Sequence, residues 1–417
     1  MIQKVKGTQD FLNLTLFNFI VEQATAHCKL YNFNQIATPI LEPTELFKRS
    51  LGNETDVVTK EMFFVTATGH KDADAICLRP EATASTVRAF IENHIQTVPW
   101  KVFSHGPIFR HERPQKGRYR EFHQFNTEVI GAATAATDAQ FIKMLDRLFQ
   151  EKFKLDTYAL LINYLGCAQD RVVFKEKLYA FLTSVEQEIC NDCKVRKEKN
   201  ILRVLDCKNE TCQKIYHTVP TITDCLCNEC ALEWQRLQEL LEILSVSYTV
   251  VPTLVRGLDY YDKTVFEFVS KQLGSQSTFC GGGRYNTLVK LLGGADVPAI
   301  GAAMGIERLL LLLEPIIDKL PIKPLSQLQV IVPMQSEQQN IALLLADELQ
   351  AKGLTTEVLT EGDSMKSMMR KVNKFGAKYA LIIGSEEQEK HSVMIKNMIT
   401  GEQELVKQTD VVGFLKK

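Results

Sequence analysis

Apolar and polar side chains alternate clearly in two neighbouring segments of the first half of the chain. Residues Trp100 to Phe109 predict a half-buried strand, and a second alternating segment starts near Tyr119. Pro114 and Gly117 lie between them and predict a loop. A period of two gives the second strand one face with Arg120, Phe122, Gln124, Asn126 and Glu128, and another with Tyr119, Glu121, His123, Phe125 and Thr127. Both faces carry polar groups, whose burial is costly unless they are paired, so this strand is poorly suited to a closed core.

Other segments of the first 320 residues have helical or strand patterns. Apolar spacing predicts helices at 15–31, 82–93, 139–149 and 232–244 and a strand at 156–165. The run CGGGRY at 280–285 predicts a loop with a tight turn, because a lone glycine-rich run is a weak sign of phosphate binding. After it come a strand of small residues, a turn at Gly305 and a helix with Arg308 in its first turn. Residues 309–313 are apolar all round, as in a buried helix.

The pattern changes in the last quarter of the chain. Residues 314–327 contain three prolines and predict a linker. Strands are then predicted at 328–333, 355–359 and 379–383, helices at 341–352 and 365–375, and a hairpin-like pair of strands at the end. This alternation predicts a small α/β domain with a mixed sheet.

Composition narrows the class of protein. The chain has 417 residues, 45% of them hydrophobic and 24% charged, which suits a globular protein of two or three domains. It has neither a signal-like start nor a long apolar run, so we expect a cytoplasmic protein that makes no membrane contact. Eleven cysteines in that compartment suggest reduced thiols or a metal site. A net charge of -1 does not indicate a generally basic, nucleic-acid-binding protein, so any RNA binding must depend on local basic patches of the surface.

The loop between the two strands is strongly basic. It and its flanks carry Arg110, His111, Arg113, Lys116, Arg118 and Arg120 against only Glu112 and Glu121. Arginine offers a fixed fork of donors that suits carboxylate and phosphate, so a nucleoside triphosphate or an RNA backbone is the expected ligand. A solvated hairpin is the alternative. Gln124 and Glu128 would stand about 13 Å apart on the strand, far enough to hold opposite ends of a small amino acid.

The segment FRHERPQKGRYREFHQ resembles motif 2 of the class II aminoacyl-tRNA synthetases, and in detail it closely resembles the histidyl-tRNA synthetase family of the bacterial type. The resemblance covers nearly the whole chain. It implies an α+β fold, with an antiparallel-sheet catalytic core, a small helical insertion and a C-terminal α/β anticodon-binding domain. The implied domains are a catalytic core at 1–166, an insertion at 167–245, the rest of the core at 246–320 and the anticodon-binding domain at 328–417.

Five further segments resemble the same family. GTQDF at 7–11 is similar to its opening, and 34–47 resembles motif 1, which implies a homodimer formed around Pro39, although a plain connection is the other interpretation. LRPEAT at 78–83 implies that Glu81 and Thr83 bind the amino group of the substrate. Ala82 stands where the family usually has glycine, and Glu81 taken alone is an acid at the start of a helix. RGLDYY at 256–261 is the family's own signature, while 299–314 resembles motif 3.

The resemblance implies ATP-dependent ligation of L-histidine to histidine tRNA through a histidyl-adenylate, with ATP and Mg²⁺. Arg110 and Arg256 are the implied catalytic residues, which hold the α-phosphate and the carboxylate. The histidine site comprises Glu81, Thr83, Arg110, Gln124, Glu128, Arg256, Tyr260, Tyr261 and Tyr285. Within it, Glu128 and Tyr261 are expected to face the imidazole, and Tyr285 to line the pocket. The ATP site comprises Arg110, Glu112, Arg118 and Arg308.

Two alternatives to this function stay open at the level of sequence. RGLDYY could be two core tyrosines beside an arginine paired on the surface. The whole chain could also be a synthetase-like regulatory subunit of histidine biosynthesis. Such regulators typically lack the C-terminal domain and parts of the arginine set, and both are present here.

Seven of the eleven cysteines fall between Cys190 and Cys230, within the predicted insertion. Two CxxC pairs, Cys190 with Cys193 and Cys227 with Cys230, could supply four thiolates to a structural zinc ion. The gap between them is longer than the usual spacing of about 15 to 20 residues. Reduced structural thiols without metal are the alternative.

The predicted helix at 365–375 has two distinct sides. One carries the cations Lys366, Arg370, Lys371 and Lys374, and the other carries Met365, Met368, Met369, Val372 and Phe375. We expect the apolar side to pack on the sheet and the cations to face outward. They would contact tRNA phosphates or form only a solvated surface.

Overall fold

A computed structural model describes residues 2–52, 55–66, 75–322 and 327–416. The chain forms two compact units, Met1–Ile322 and Lys323–Lys417. Within the described residues, no helix combines the length and the apolar character needed to cross a membrane.

The first unit is built on an eight-stranded sheet with the order β1-β5-β6-β11-β10-β9-β7-β8. Its long central pairs are antiparallel, and only the short edge pairs β1–β5 and β7–β8 are parallel. A second, three-stranded antiparallel sheet has the order β2-β4-β3. The strands are β1 Asn34–Gln35, β2 Leu41–Pro43, β3 Phe63–Val65, β4 Ile76–Leu78, β5 Trp100–Phe109, β6 Glu121–Ile130, β7 Ala159–Tyr164, β8 Thr249–Val250, β9 Asp262–Val269, β10 Thr278–Arg284 and β11 Ala299–Gly305.

Ten α-helices belong to the described part of this unit. They are α1 Thr15–Leu30, α2 Thr44–Leu51, α3 Thr83–Glu92, α4 Ala135–Arg147, α5 Ala168–Ser184, α6 Asn191–Lys199, α7 Glu210–Ile215, α8 Asn228–Ile243, α9 Leu288–Leu291 and α10 Ile306–Leu313. Short 3₁₀ segments lie at Ile201–Val204, Tyr216–Thr218, Ile222–Cys225, Lys271–Gln276 and Glu314–Lys319, and π-helical turns at Val57–Glu61 and Leu148–Lys152. Between β7 and β8 all the regular elements are helical.

The two faces of the large sheet have different roles. Phe125, Ile300, Phe266 and Phe268 belong to one apolar core with residues of α1, α4, α8 and α10. Their neighbours along the strands point to the opposite face, where Gln124 and Asn126 border a cleft. The predicted division of β6 into two faces is therefore confirmed. The expectation of a poor core strand holds only for its first four residues, because Phe125 to Ile130 are all buried.

The predicted loop at 280–285 is wrong, because Thr278–Arg284 is a central strand paired on both sides. Two of its glycines lie so close to neighbouring groups that a side chain would not fit. A Cβ atom on Gly282 would collide with the backbone of β11, and one on Gly281 would stand 2.6 Å from the Arg256 guanidinium. The glycines therefore make room for a neighbouring strand and a side chain.

The second unit has a five-stranded mixed sheet with the order β13-β12-β14-β15-β16. The first three of these strands are parallel and the last three antiparallel, which confirms the predicted α/β domain. Its elements are β12 Gln329–Pro333, α11 Gln339–Ala351, β13 Thr356–Val358, α12 Met365–Lys374, β14 Tyr379–Ile383, α13 Ser385–Glu389, β15 Ser392–Asn397, β16 Gln403–Lys407 and α14 Val411–Leu415, with 3₁₀ segments at Ser336–Gln338 and Gln408–Asp410.

Helix α12 packs on this sheet by a narrower stripe than its sequence predicts. Met368 and Val372 are fully buried, whereas Met365 and Phe375 are 38% and 51% exposed. Met365 is the first residue of the helix, and Phe375 directly follows its last residue. Lys366, Arg370 and Lys374 are exposed, as expected. Lys371 instead lies 3.7 Å from Glu361 and 3.8 Å from Asp363, on the segment before the helix.

Candidate active site

The floor of the cleft is set by the register of four neighbouring strands. Asn126, Ala303, Gly281 and Glu267 are direct partners across β6, β11, β10 and β9, so their side chains share one face. Ala303 and Gly281, in the two middle strands, have small or no side chains and so leave space above the sheet. Asn126 and Glu267, in the two outer strands, have longer polar side chains that border this space. The result is a cleft of about 500 Å³. The small residues predicted in the strand before Gly305 thus leave room for the cleft.

Five arginines line this cleft, and four of them are predicted site residues from different elements: Arg110 after β5, Arg118 in the loop before β6, Arg256 before β9 and Arg308 in the first turn of α10. Burial, with Arg110 and Arg118 nearby, lowers the pKa of Arg308 to about 10, so it is still a cation at neutral pH. A cluster of like charges in one cleft is arranged for a polyanion. The structure therefore brings together the whole predicted arginine set.

Carboxylates and backbone oxygens fix the directions of these arginines. Glu112 pairs with Arg118 and lies 3.9 Å from Arg110, whose Nε donates to the Pro80 carbonyl at 2.8 Å. Arg308 donates from Nε to the Gly117 carbonyl at 3.1 Å. Glu112 therefore stands between two of the predicted phosphate-binding arginines.

Arg256 has close neighbours on several sides. It pairs with Glu267, lies over the Tyr261 ring at 5.7 Å and rests on Gly281. Burial lowers its pKa, but Glu267 and the tyrosines raise it by more, so the group stays charged. Its buried Nε has no hydrogen-bond acceptor among the described residues. The alternative in which Arg256 forms a surface pair is wrong.

The rest of the basic loop divides into two groups. His111, Arg113 and Lys116 are exposed to solvent, as the solvated-hairpin interpretation expects. Arg120 points away from the cleft and donates to the backbone carbonyls of Glu112 and Lys6, both at 3.3 Å. Only the arginines at the two ends of the loop therefore serve the cleft.

Glu81 and Thr83 lie at the start of α3, where the chain leaves β4. The Glu81 carboxylate accepts the backbone N–H groups of Thr83 at 2.6 Å and Ala84 at 2.8 Å. Glu81 is thus the N-terminal acid of the helix, which the residues alone suggested. Both residues also line the cleft, so their predicted contact with an amino group remains a prediction.

Glu128 is buried beside two other predicted site residues, and its predicted contact with an imidazole stays a prediction. Its carboxylate accepts hydrogen bonds from Thr83 Oγ1 at 2.7 Å and from the Tyr285 hydroxyl, and the residue is only 1% exposed. Burial raises its pKa to about 8, although the hydrogen bonds from Tyr285 and Thr83 oppose the shift. Neither Glu128 nor Tyr285 is among the described residues that line the cleft; both lie behind it. Tyr261, the other residue expected at the imidazole, lines the cleft and packs against Tyr260 with ring centroids 4.6 Å apart, so its role also stays a prediction.

Polar groups at the edge of the cleft lack partners within the protein. Gln124 Oε1 and Asn126 Oδ1 are buried and accept no hydrogen bond among the described residues. Buried acceptors of this kind are costly unless a ligand or water satisfies them. Gln124 was predicted as a site residue, whereas Asn126 was not, although it shares the same strand face.

The residues of the cleft that sequence reasoning missed include several charged ones. Glu267 is the partner of Arg256, and its position as a lone charge between Phe266 and Phe268 could have revealed it. Arg203, Asp206 and Lys208 come from the insertion and border the same cleft. No local pattern marks them, because the topology of the chain brings them there.

The predicted four-thiolate group is wrong, because the two CxxC pairs belong to separate clusters. Cys190 and Cys193 lie with Cys207 and Cys212, whereas Cys227 and Cys230 lie with Cys167 and Asp170. The long gap between the pairs is spanned by elements that carry the second half of the first cluster. Proximity in the fold, not motif spacing, therefore decides which cysteines meet.

Replacing Gly281 by alanine should lower the rate of the chemical step at least tenfold while the protein still folds. The added methyl group would stand 2.6 to 2.8 Å from the Arg256 guanidinium, whose flexible end can move away. If Arg256 has its predicted catalytic role, displacing its guanidinium costs rate steeply. The comparison is Gly362→Ala, where nothing lies within 4 Å of the new methyl group. Unchanged single-turnover kinetics in Gly281→Ala would show that the position of Arg256 is unimportant.

Two family models match consecutive parts of the chain. The histidyl-tRNA synthetase model matches residues 19–309, and the anticodon-binding domain model matches residues 329–417. The histidine–tRNA ligase of Halothermothrix orenii is 42% identical over 407 residues, which are 96% of each chain. That of Aquifex aeolicus is 42% identical over 415 residues, 98% of this chain and 100% of the relative.

A solved structure agrees with these relatives. The crystal structure of apo S. aureus histidyl-tRNA synthetase covers 100% of both chains, with a TM-score of 0.82 and 34% sequence identity. The match extends over the class II catalytic sheet with its arginine-lined cleft and over the C-terminal anticodon-binding domain. The chain therefore belongs to the histidyl-tRNA synthetase family.

Proposed function

We propose that this protein ligates L-histidine to its cognate tRNA in two steps, first forming histidyl-adenylate from histidine and ATP. One observation carries the proposal: four arginines converge on a cleft that also holds unpaired polar acceptors and lies in front of the buried Glu128 group. The arginines suit a triphosphate, and the polar groups suit an amino acid.

In the first step the histidine carboxylate attacks the α-phosphorus of ATP, and the bond to the pyrophosphate oxygen breaks. This reaction needs little covalent help, so the protein contributes positioning and stabilisation of charge. We assign Arg110 and Arg256 to the α-phosphate and carboxylate, and Arg118 and Arg308 to the outer phosphates. Their fixed carboxylate and carbonyl partners hold the guanidinium groups in place before the substrate arrives.

Mg²⁺ belongs to this proposal as the usual companion of ATP. The carboxylates of Glu112 and Glu267 line the cleft and are the hard oxygen ligands that Mg²⁺ takes. When bound, the ion neutralises charge on the phosphates. Glu112 would then exchange part of its pairing with Arg118 for the ligand.

Selectivity for histidine would come from Glu128 and the tyrosines around it. An imidazole ring has two nitrogens that need partners, and we assign Glu128 to one and the Tyr261 hydroxyl to the other. Glu81 and Thr83 take the amino group and Gln124 the carboxylate end, with Tyr260 and Tyr285 closing the pocket. A substrate without an imidazole would leave these buried groups unpaired, which gives strong discrimination.

A tRNA charging assay separates this function from the regulatory alternative. With ATP, labelled histidine and total tRNA, we expect histidine to become attached to tRNA through an ester that is lost in mild alkali. A regulatory subunit would leave the tRNA uncharged under every condition. The complete arginine set and the matched anticodon-binding domain support the ligase over the regulator.

Assembly and location follow from the same proposal. Ile40, Leu41 and Phe64 are 40%, 51% and 62% exposed on and beside the small three-stranded sheet, in and near the segment that resembles motif 1. Such exposed apolar side chains support a homodimer. Sedimentation should give twice the chain mass of 47.3 kDa, and the mass of a single chain would contradict the dimer.

A cytoplasmic location, where tRNA is charged, completes the proposal.

The cations of α12 should contribute to tRNA binding. Lys366, Arg370 and Lys374 are exposed on one side of the helix, and phosphate contacts there would raise affinity without choosing sequence. Changing all three to Gln should weaken tRNA binding and flatten its dependence on salt. Histidine-dependent pyrophosphate exchange should stay unchanged, because these residues lie in the other unit from the cleft.

The matched control removes three other exposed lysines from the same unit, Lys352, Lys390 and Lys407, again by Gln. Its net charge is the same as that of the α12 variant, so a general electrostatic effect would weaken both equally. If the α12 variant binds tRNA with the salt slope of the control, the helix is only a solvated surface.

A further inference from the structure

Four cysteine sulfurs meet in the helical insertion, far along the chain from the residues of the proposed reaction. The four-cysteine cluster consists of Cys190, Cys193, Cys207 and Cys212, whose Sγ atoms all lie within 4.8 Å of one another. All but Cys190 are buried. Nothing in the ligation chemistry needs these thiols, so their convergence calls for a separate explanation.

Three short elements bring the sulfurs together. Cys190 directly precedes α6 and Cys193 lies in its first turn, so both sulfurs gather at the helix N-terminus. Cys207 follows the 3₁₀ segment Ile201–Val204, and Cys212 lies in the first turn of α7. Helix N-termini favour negative charge, which suits thiolates at both helices.

The spacing of the sulfurs fits a tetrahedral metal site. Four sulfurs at about 2.3 Å from a central zinc ion lie about 3.8 Å from one another. Cys190 Sγ and Cys207 Sγ are 3.8 Å apart. That separation is far beyond the roughly 2.05 Å of a disulfide bond.

Backbone amides already surround the cluster as they would around charged sulfur. The Cys190 N–H donates to Cys212 Sγ at 3.2 Å, and the Asn209 N–H donates to Cys207 Sγ at 3.4 Å. Donors of this kind orient the ligands of a metal and share their negative charge. The cluster therefore has its supporting contacts as well as its ligands.

We propose that the four-cysteine cluster is a closed, structural zinc site that holds the insertion together. Helices α6 and α7 have only 9 and 6 residues and are too short to be stable alone. A metal ion bound to cysteines of both helices would therefore stabilise them. A four-thiolate site without an open position binds zinc for structure, not for catalysis.

The site would also fix the segment that touches the catalytic signature. Between Cys193 and Cys207, Asn200 donates to Asp259 at 3.0 Å and Arg203 donates to the Gly257 carbonyl. Gly257 directly follows Arg256. A zinc ion that binds both ends of this segment would therefore hold its middle against the loop that carries Arg256.

The second cluster, Cys167, Asp170, Cys227 and Cys230, has a different explanation. Its Asp170 accepts the backbone N–H of Cys167 at 3.0 Å and that of Cys227 at 2.9 Å. The carboxylate thus caps the starts of α5 and α8. Cys227 is exposed, so its replacement is a mild control.

The test measures zinc in the full chain, purified without chelator and then dialysed with Zn²⁺. We expect at least one tightly bound zinc ion per chain. Cys193→Ser with Cys212→Ser should lose one equivalent relative to the unaltered chain, while Cys227→Ser should keep the full content. Absence of zinc from the unaltered chain overturns the proposal, and so does a full zinc content in the Cys193 and Cys212 variant.

A second measurement needs no variant and covers the case in which the double substitution prevents folding. Co²⁺ bound to the unaltered chain should give the intense visible absorption of a tetrahedral thiolate site, and Zn²⁺ should abolish it. Weak absorption typical of oxygen and nitrogen ligands overturns the site. Neither readout depends on ligase activity, so failure here leaves the proposed function untouched.

Discussion

Replacing Arg256 by alanine should slow formation of histidyl-adenylate by about 100- to 1,000-fold, the usual effect of removing one preorganised donor from a developing charge. Arg256 is held in place by Glu267, Gly281 and Tyr261 on three sides, so its guanidinium is a preorganised donor. Single-turnover adenylation with saturating ATP and histidine measures the effect directly. A loss of less than tenfold would reject the assigned role.

Two further variants separate catalysis from folding. Arg256→Ala alone leaves Glu267 without its partner, so Arg256→Ala with Glu267→Gln removes the charge that would otherwise destabilise the cleft. It should fold normally and be at least as slow, since Glu267 is also assigned to Mg²⁺. Arg236→Ala, at a side chain 57% exposed on α8, should keep the full rate.

Replacing Glu128 by glutamine should remove a large part of the pH dependence of stability. Burial raises the pKa of Glu128 from 4.5 to about 8, so the folded protein binds this proton more tightly than the unfolded chain. Its contribution to stability is therefore complete below about pH 4.5 and is lost as the pH rises through 8. The loss is on the order of a few kcal/mol. Glutamine carries no titrating proton, so the variant should not lose stability in this window.

Urea unfolding of both proteins at pH 6 and pH 9 tests this linkage. The midpoint of the unaltered protein should fall more between these pH values than that of Glu128→Gln. Parallel shifts would show that Glu128 titrates normally. The same variant should raise the KM for histidine and leave the KM for ATP unchanged, because Glu128 is assigned to the imidazole alone.

The sequence predicted the elements whose pattern is purely local. Trp100–Phe109 and Tyr379–Ile383 are strands with the predicted ends, because steady alternation is bounded by clear breaks. The glycine-rich run at 280–285 was wrongly predicted as a loop, because glycine occurs both in turns and in closely packed strands. It permits turns, but here it admits a neighbouring strand and the Arg256 side chain, neither of which is visible in local sequence.

The site was predictable as a set of residues but not as an arrangement. Arginines separated by almost 200 residues lie together because the register of β6, β11, β10 and β9 places their elements around one cleft. The same long-range order buries Glu128 against Thr83 and Tyr285, and it sorts the cysteines into two clusters. Such outcomes depend on which strands and helices become neighbours, which residue spacing does not encode.

The central claim is that this cleft activates histidine and no other amino acid. Exchange of labelled pyrophosphate into ATP, measured with each of the 20 amino acids in turn, tests it without tRNA. We predict exchange with histidine alone, and its loss in Arg256→Ala. Exchange stimulated by another amino acid, or by none, would contradict the account.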